Sequence, residues 1–290
     1  MFERVLSGVV KVTRSALDLE TISRRGGALQ RFDPRFVFLL LVSLVVVVVM
    51  LRNPLSFLLV IAFAITLAFL SRVPLGWYLR RVWLFVPLFT VVILLPSMTS
   101  LITPGEAVGW TLQMGSIDIY FTRQGLEYAL TFTLRVGAAV SLSVLLVATV
   151  EWSKLMRALA QLRFPSSFIV ILDMTYRYIH LLLDTVANMF LARKSRMVGK
   201  LTARETKAVG SSTVANLFHK SYQMSEQVYL AMLSRGYTGN PKMLTQFKSK
   251  GTDYGFAAVM VLFGATMVFF DIAEAQDILH SLISSLGALI

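Results

Sequence analysis

A handful of arginines are the residues through which this chain could act. Arg135 stands inside the apolar run Leu126 to Val150. A charge there is costly unless it faces protein, water or a polar partner, so packing through backbone carbonyls and contact with a substrate are both open to it. Arg196 and Arg235, 39 residues apart, close two amphipathic stretches in similar tripeptides, Ser195-Arg196-Met197 and Ser234-Arg235-Gly236. Any arginine at a helix C-terminus gains from the helix dipole. The same planar, permanently charged fork at the tips of two helices also suits an acidic groove on another protein. Asp173 and Arg177 stand four apart, the spacing of an acid–base pair on one helix face.

Catalytic and metal chemistry find little support. Gly199-Lys200 is followed by Leu201, without the earlier glycine of a phosphate-binding loop, so this chain holds no ATP by such a loop of its own. His180, His219 and His280 are scattered, and no H-E-x-x-H occurs. There is no cysteine, which excludes disulfides, thiolate nucleophiles and cysteine metal sites. No metal site, catalytic residue or cofactor is therefore assigned to the chain.

The elements that must position these arginines are membrane-grade. Of 290 residues, 56% are hydrophobic and 15% charged, against about 25% charged in a soluble domain. The mean hydropathy is +0.69. The first 30 residues lack an apolar core of the signal-peptide type, and the pattern over 1–31 predicts an amphipathic, interfacial helix or two, broken at Arg24-Arg25-Gly26-Gly27. Asp33-Pro34 predicts a helix start, with aspartate as N-cap and proline at the first helical position. Phe36 to Leu51 is a first span. Arg52-Asn53-Pro54 repeats the device before a second, Pro54 to Leu70, and the short link makes the two an antiparallel hairpin. Arg72, Arg80 and Arg81 beside Trp77 and Tyr78 mark a membrane–water interface. Val82 to Ile102 is a third span, kinked by Pro87 and Pro96. Leu112 to Phe121, around Gly115-Ser116, is read as a small β-hairpin. Leu126 to Val150 is a fourth span and Tyr254 to Phe270 a fifth. Acidic residues of the kind that line ion pathways are absent from the interiors of these spans.

Between the last two spans lies a basic stretch that keeps a helical beat. Trp152 to Leu162 predicts a short amphipathic helix. Pro165 opens a long one to about Met197, with apolar residues Phe168, Leu172, Ile179, Leu182, Val186 and Met189. Polar residues 200–210 are read as a break, and a further helix runs from about Ser212 to Arg235, stopped by Gly236 and Gly239-Asn240-Pro241. The expected organisation is 1–32 as an N-terminal segment, 33–150 as four spans, 151–252 as coupling helices, and 253–290 as the last span and tail. The fold class is all-α, a membrane helical bundle of about five spans with long amphipathic coupling helices. With the N-terminus in the cytoplasm, 25 of the 28 Lys and Arg fall on the cytoplasmic side, as the positive-inside rule requires. The net charge of +12 thus points to a lipid bilayer and not to nucleic acid.

Taken together, several pieces resemble the transmembrane T component of energy-coupling factor (ECF) transporters, the CbiQ family of cobalt uptake especially. They are Leu29-Gln30-Arg31-Phe32-Asp33-Pro34-Arg35, Arg135, Ala148-Thr149, Leu155 to Pro165, Met174-Thr175-Tyr176-Arg177-Tyr178, Ala192-Arg193-Lys194-Ser195-Arg196, and Ala231-Met232-Leu233-Ser234-Arg235-Gly236-Tyr237. The resemblance covers nearly the whole chain, and the last two pieces are its most specific. It implies a multi-pass protein of the cell membrane, with the coupling helices cytoplasmic, that carries no catalysis itself. Two partner ABC-type ATPase subunits would bind ATP and Mg. A small substrate-binding membrane subunit, the S component, would hold the cargo.

In the family, Ala-Arg-Gly signatures end two coupling helices and enter grooves on the ATPases. The resemblance therefore assigns ATPase binding to Ser195, Arg196 and Met197 and to Ser234, Arg235 and Gly236, with Arg135, Pro165, Asp173, Arg177 and Arg193 in structural or coupling roles. Here Ser stands for Ala at both signatures, and Met197 for Gly at the first. Cobalt follows from overall resemblance, and nickel or a vitamin stays open as cargo. A membrane enzyme acting on anionic lipids would also want basic residues at the interface, but would cluster Asp, Glu or His there. A self-contained channel would need a polar pore lining.

Overall fold

The structure is a computed structural model that describes residues 21–84, 112–114, 117–119, 122–196, 202–239 and 249–287, together with Gly8, Thr90, Val92 and Leu94. Its helices are α1 (Ala28–Arg31), α2 (Pro34–Met50), α3 (Pro54–Leu70), α4 (Leu75–Trp83), α5 (Arg123–Thr149), α6 (Trp152–Gln161), α7 (Ser166–Arg196), α8 (Ala203–Ser234) and α9 (Gly251–Gly287). A two-stranded antiparallel hairpin, β1 (Leu112–Met114) and β2 (Ile117–Ile119), pairs Leu112 with Ile119 and Met114 with Ile117. The fold is otherwise all-α. The chain divides into two compact units. Among the described residues one holds 22–150 with 249–287 and the other Gly8, Thr21 and 151–239.

The first unit is the apolar bundle. The Asp33-Pro34 start of α2 is as expected, with the Asp33 carboxylate accepting from the Arg35 amide at 3.0 Å and Pro34 at the first helical position. α5 and α9 contain segments long and apolar enough to cross a membrane, Arg123–Thr149 and Gly251–Ala273, while α2 and α3 are apolar but shorter, at 17 residues each. Seventeen residues rise about 26 Å, a little under the ~30 Å of bilayer hydrocarbon. Leu41, Leu44, Val48, Phe57, Val60, Leu142 and Leu145 fill the core, and fully buried Ala64 and Ala68 let neighbouring helices approach closely. Phe63 stacks on Phe263 at 3.8 Å and Phe32 on Phe256 at 4.5 Å, fastening α9 to the bundle through aromatic faces.

Most of the expected third span, and residues 1–7 and 9–20 of the expected N-terminal helix, lie outside the described residues. α4 begins at Leu75, within the segment read as interfacial, and α9 stays helical past Asp271 to Gly287 although its apolar span ends at Ala273. The start of α8 is a correction: it lies at Ala203 and not near Ser212. The reason is a capping box: the Thr202 hydroxyl accepts from the Glu205 amide and the Glu205 carboxylate accepts from the Thr202 amide at 2.8 Å. The polar run 203–210 is thus helical despite its composition.

Candidate coupling site

The second unit carries the paired tripeptides. α6 ends on a left-handed residue, Arg163, with φ 65, and the Phe164 amide turns back to the Leu159 carbonyl. Pro165 then starts α7, its carbonyl accepting from Phe168 and Ile169. Trp152 stacks on Tyr176 at 5.0 Å, and Tyr176 meets His180 edge-on at 4.9 Å, so an aromatic column holds α6 against the first half of α7. Farther along, the Arg193 guanidinium donates to the Ser212 hydroxyl at 2.8 Å. That bond clasps the C-terminal half of α7 to the N-terminal half of α8, making the two an antiparallel hairpin. Arg193 is therefore committed within the unit.

Arg196 and Arg235 are exposed, and among the described residues neither guanidinium has a hydrogen bond or ion pair. From Ser212, beside the clasp, to Arg235 α8 rises about 35 Å. The two arginine tips consequently lie at opposite ends of the hairpin. Their serines behave alike. Ser195 Oγ donates to the Ala192 carbonyl and Ser234 Oγ to the Ala231 carbonyl, both at 2.9 Å. Each hydroxyl is thus satisfied by the carbonyl three residues back on its own helix.

The end of α8 is a Schellman turn. The Tyr237 amide donates to the Met232 carbonyl at 3.0 Å and the Gly236 amide to Leu233 at 2.9 Å, with Gly236 left-handed at φ 77. Arg235 is the residue on which the helix closes. Met197, the corresponding residue after Arg196, lies outside the described residues. Asp173 and Arg177 are both exposed and do not close into an ion pair, although their spacing allows it.

Near the α8 tip the hairpin opens. A groove of about 640 Å³ runs between α7 and α8, walled by Val170, Met174, Ile179, Met224, Val228 and Met232 among others. The faces around it stay apolar and uncovered, with Phe168, Ile171, Phe218, Tyr229 and Leu233 exposed. Few residues of this unit are buried, chiefly Met156, Ala158, Ile169 and Phe190. Helices of this length with so small a core present surface to partners.

Arg135 belongs to the bundle. Its Nη2 donates to the Leu51 carbonyl at 3.0 Å, and its guanidinium lies 5.4 Å over the Phe57 ring. Leu51 is the C-cap of α2, so the arginine satisfies a helix-end carbonyl. The same corner is held from another side. Asp271 of α9 accepts from the Arg52 amide at 3.1 Å and the Asn53 amide at 3.0 Å, capping α3 where the Asn53 side chain does not. At the opposite end of α9, Asp253 accepts from the Asp33 amide at 3.2 Å and the Lys250 amide at 2.7 Å. Sequence reasoning missed both aspartates, because the contacts that tie them to the bundle, to the Asp33 amide and to the Arg52 and Asn53 amides, lie some 220 residues away. Among the described residues no group of three His, Asp or Glu could hold a metal ion.

A family model described as CbiQ, cobalt transport protein, matches residues 27–246. The chain belongs to the CbiQ family. An uncharacterised protein of Methanocaldococcus jannaschii is 38% identical over 93% of this chain and 92% of its own length. The energy-coupling factor transporter transmembrane proteins EcfT of Brevibacillus brevis and Limosilactobacillus fermentum are 26% and 28% identical, covering 73% and 72% of this chain and 81% and 79% of their own. Membership of CbiQ accords with a membrane location and with the apolar bundle. The matched region takes in both arginine tips and the Arg135 grip.

Proposed function

We propose that this CbiQ-family chain is the T component of an ATP-driven ECF-type uptake transporter. It is a non-catalytic subunit that carries motion from ATPases to a substrate-binding membrane subunit. The observation that carries this reading is the pair of exposed, unpaired arginines at opposite ends of the α7–α8 hairpin, each behind a serine folded onto its own helix. Two ABC-type ATPase subunits, holding ATP and Mg, would each seat one tip in an acidic groove. Closing and opening of that pair would then turn the hairpin as a lever, because the Arg193–Ser212 clasp and the Trp152–Tyr176 stack stiffen it. The apolar groove and the exposed faces beside it are where the small S component would pack. The basic segments support a cytoplasmic hairpin and N-terminus, by the positive-inside rule. Cobalt is the proposed cargo, following the family's description, with the ion held by the S component.

The test is purification of the whole assembly in mild detergent, with identification of the co-purifying chains, from cells carrying the parent chain or Arg196→Ala/Arg235→Ala. Truncating one side of a buried charged contact costs about 2–5 kcal/mol. The double variant should lose the ATPases, or keep them and hydrolyse ATP without cobalt uptake. Normal assembly and uptake in that variant would refute the reading.

A further inference from the structure

Two segments far apart in sequence meet at one corner of the bundle. The Gln30 side chain donates to the Ser71 carbonyl at 3.1 Å, and Gly27 lies so close that a Cβ there would collide with that carbonyl. The contact brings the 25–31 stretch, with Arg25 and Arg31, to the α3–α4 corner that carries Arg72 and leads to Arg80 and Arg81. All five arginines are exposed, and none is in an ion pair among the described residues. Asp33, the nearby acid, is occupied by Arg35 and by the start of α2. Arg81 instead lies over the Trp77 ring at 5.4 Å, an arrangement of membrane interfaces.

At this corner an open cavity of about 560 Å³ is lined by Phe69, Leu70, Arg72, Val73 and Leu75. Its volume is that of a ligand site. Its walls are apolar, its one charge is positive, and Phe69 and Leu70 stay 69% and 51% exposed. Arg72 is also held left-handed, at φ 54, where glycine would sit at lower cost. That conformation closes α3, the Val73 amide returning to the Ala68 carbonyl, and it fixes where the Arg72 side chain leaves the corner.

We propose that this corner binds an anionic phospholipid. Arg72, backed by Arg25 and Arg31, takes the phosphate-bearing headgroup, and the acyl chains lie along Phe69, Leu70 and Leu75. A basic rim above an apolar wall complements a lipid and not a free anion, which would have no use for the exposed phenylalanine and leucine. The assignment is independent of which leaflet the corner faces.

Native mass spectrometry of the full chain in dodecyl maltoside tests it, with dioleoyl phosphatidylglycerol and dioleoyl phosphatidylcholine as probes. The chain is expected to retain phosphatidylglycerol at concentrations where phosphatidylcholine is lost. Each basic residue at a membrane surface strengthens anionic-lipid binding by about fivefold. Arg72→Gly should therefore weaken retention by about that factor while easing the backbone, and Arg72→Lys should restore it. Excess inorganic phosphate should leave the adduct in place, and displacement by phosphate would overturn the lipid in favour of a free anion. Equal retention of the two lipids would overturn it too, leaving an acidic protein face as the cluster's partner. Arg25→Gln/Arg31→Gln, which leaves the cavity intact, gives an independent arm. Undiminished preference for phosphatidylglycerol when these two are combined with Arg72→Gly would refute the site.

Discussion

Three helix ends close on the same turn, and they differ in one respect that can be measured. α8 ends on Gly236 at φ 77, whereas α6 and α3 end on Arg163 at φ 65 and Arg72 at φ 54. In each, the amide after the left-handed residue returns to the helix, Tyr237 to Met232, Phe164 to Leu159 and Val73 to Ala68. A left-handed backbone costs a residue with a Cβ roughly 1–2 kcal/mol. Glycine gives back about 0.4–1 kcal/mol through its freer unfolded chain. The net is on the order of 1 kcal/mol in favour of glycine. A Cβ built on Gly236 meets nothing within 4 Å, so Gly236→Ala adds no clash to the backbone term. Gly236→Ala and Arg163→Gly should then shift stability by similar amounts in opposite directions. Hydrogen exchange followed by mass spectrometry reads this locally, because 1 kcal/mol is about a fivefold change in opening. Tyr237 should exchange about fivefold faster in Gly236→Ala, and Phe164 slower by a similar factor in Arg163→Gly. Since Arg235 is the cap of that turn, ATPase capture should weaken alongside in Gly236→Ala. Unchanged exchange at Tyr237, or faster exchange at Phe164, would refute the reasoning.

Other perturbations follow from the same contacts. Thr202→Ala removes the hydroxyl of the α8 capping box and should cost about 1 kcal/mol, seen as faster exchange in the first turn of α8. The backbone and side-chain hydrogen bonds from Thr202 hold the Glu205 carboxyl below its usual range. A depressed folded pKa gives stability that is present above the unfolded value and lost as pH falls through the folded one, so that turn should fray only under acid conditions and Glu205→Gln should abolish the dependence. Asp271→Ala leaves the Arg52 and Asn53 amides to water and should lower the thermal midpoint in detergent by the equivalent of about 1–2 kcal/mol, with Asp271→Asn recovering part. Arg135→Leu loses a charged hydrogen bond of about 1.5–3 kcal/mol but also removes a buried Nε without a partner. It should therefore destabilise by less than that bond alone, and a full loss of fold would show the corner to be tighter than the contacts imply.

How much of this was legible in the sequence depends on the range of the physics. Asp33-Pro34 announced α2 because capping is decided within three residues. The small β-hairpin and the Arg235-capped end of α8 were readable because they too are local, whereas α2 and α3, expected to pair with each other, each pack chiefly on α5. The Thr202–Glu205 box was equally local, but the polar run 200–210 drew attention from it. Asn53-Pro54 looked like a second cap, yet the carboxylate that caps α3 comes from Asp271, a choice no local pattern encodes. Arg135 could be recognised as needing a partner, while the identity of that partner, the Leu51 carbonyl, required the fold. Asp173 and Arg177 had the right spacing and stayed apart in water, where such pairs gain little. The serines of the two tripeptides read as departures from the family. Only the structure shows each hydroxyl satisfied, by the Ala192 and Ala231 carbonyls.

The lever itself can be tested by photo-crosslinking in the assembled transporter. A benzophenone amino acid placed at Ser195 or at Ser234 leaves both arginines intact and sits one residue from each. The account predicts an adduct to a nucleotide-binding ATPase subunit from either position. Adducts to lipid or to the small membrane subunit alone, from both positions, would contradict it.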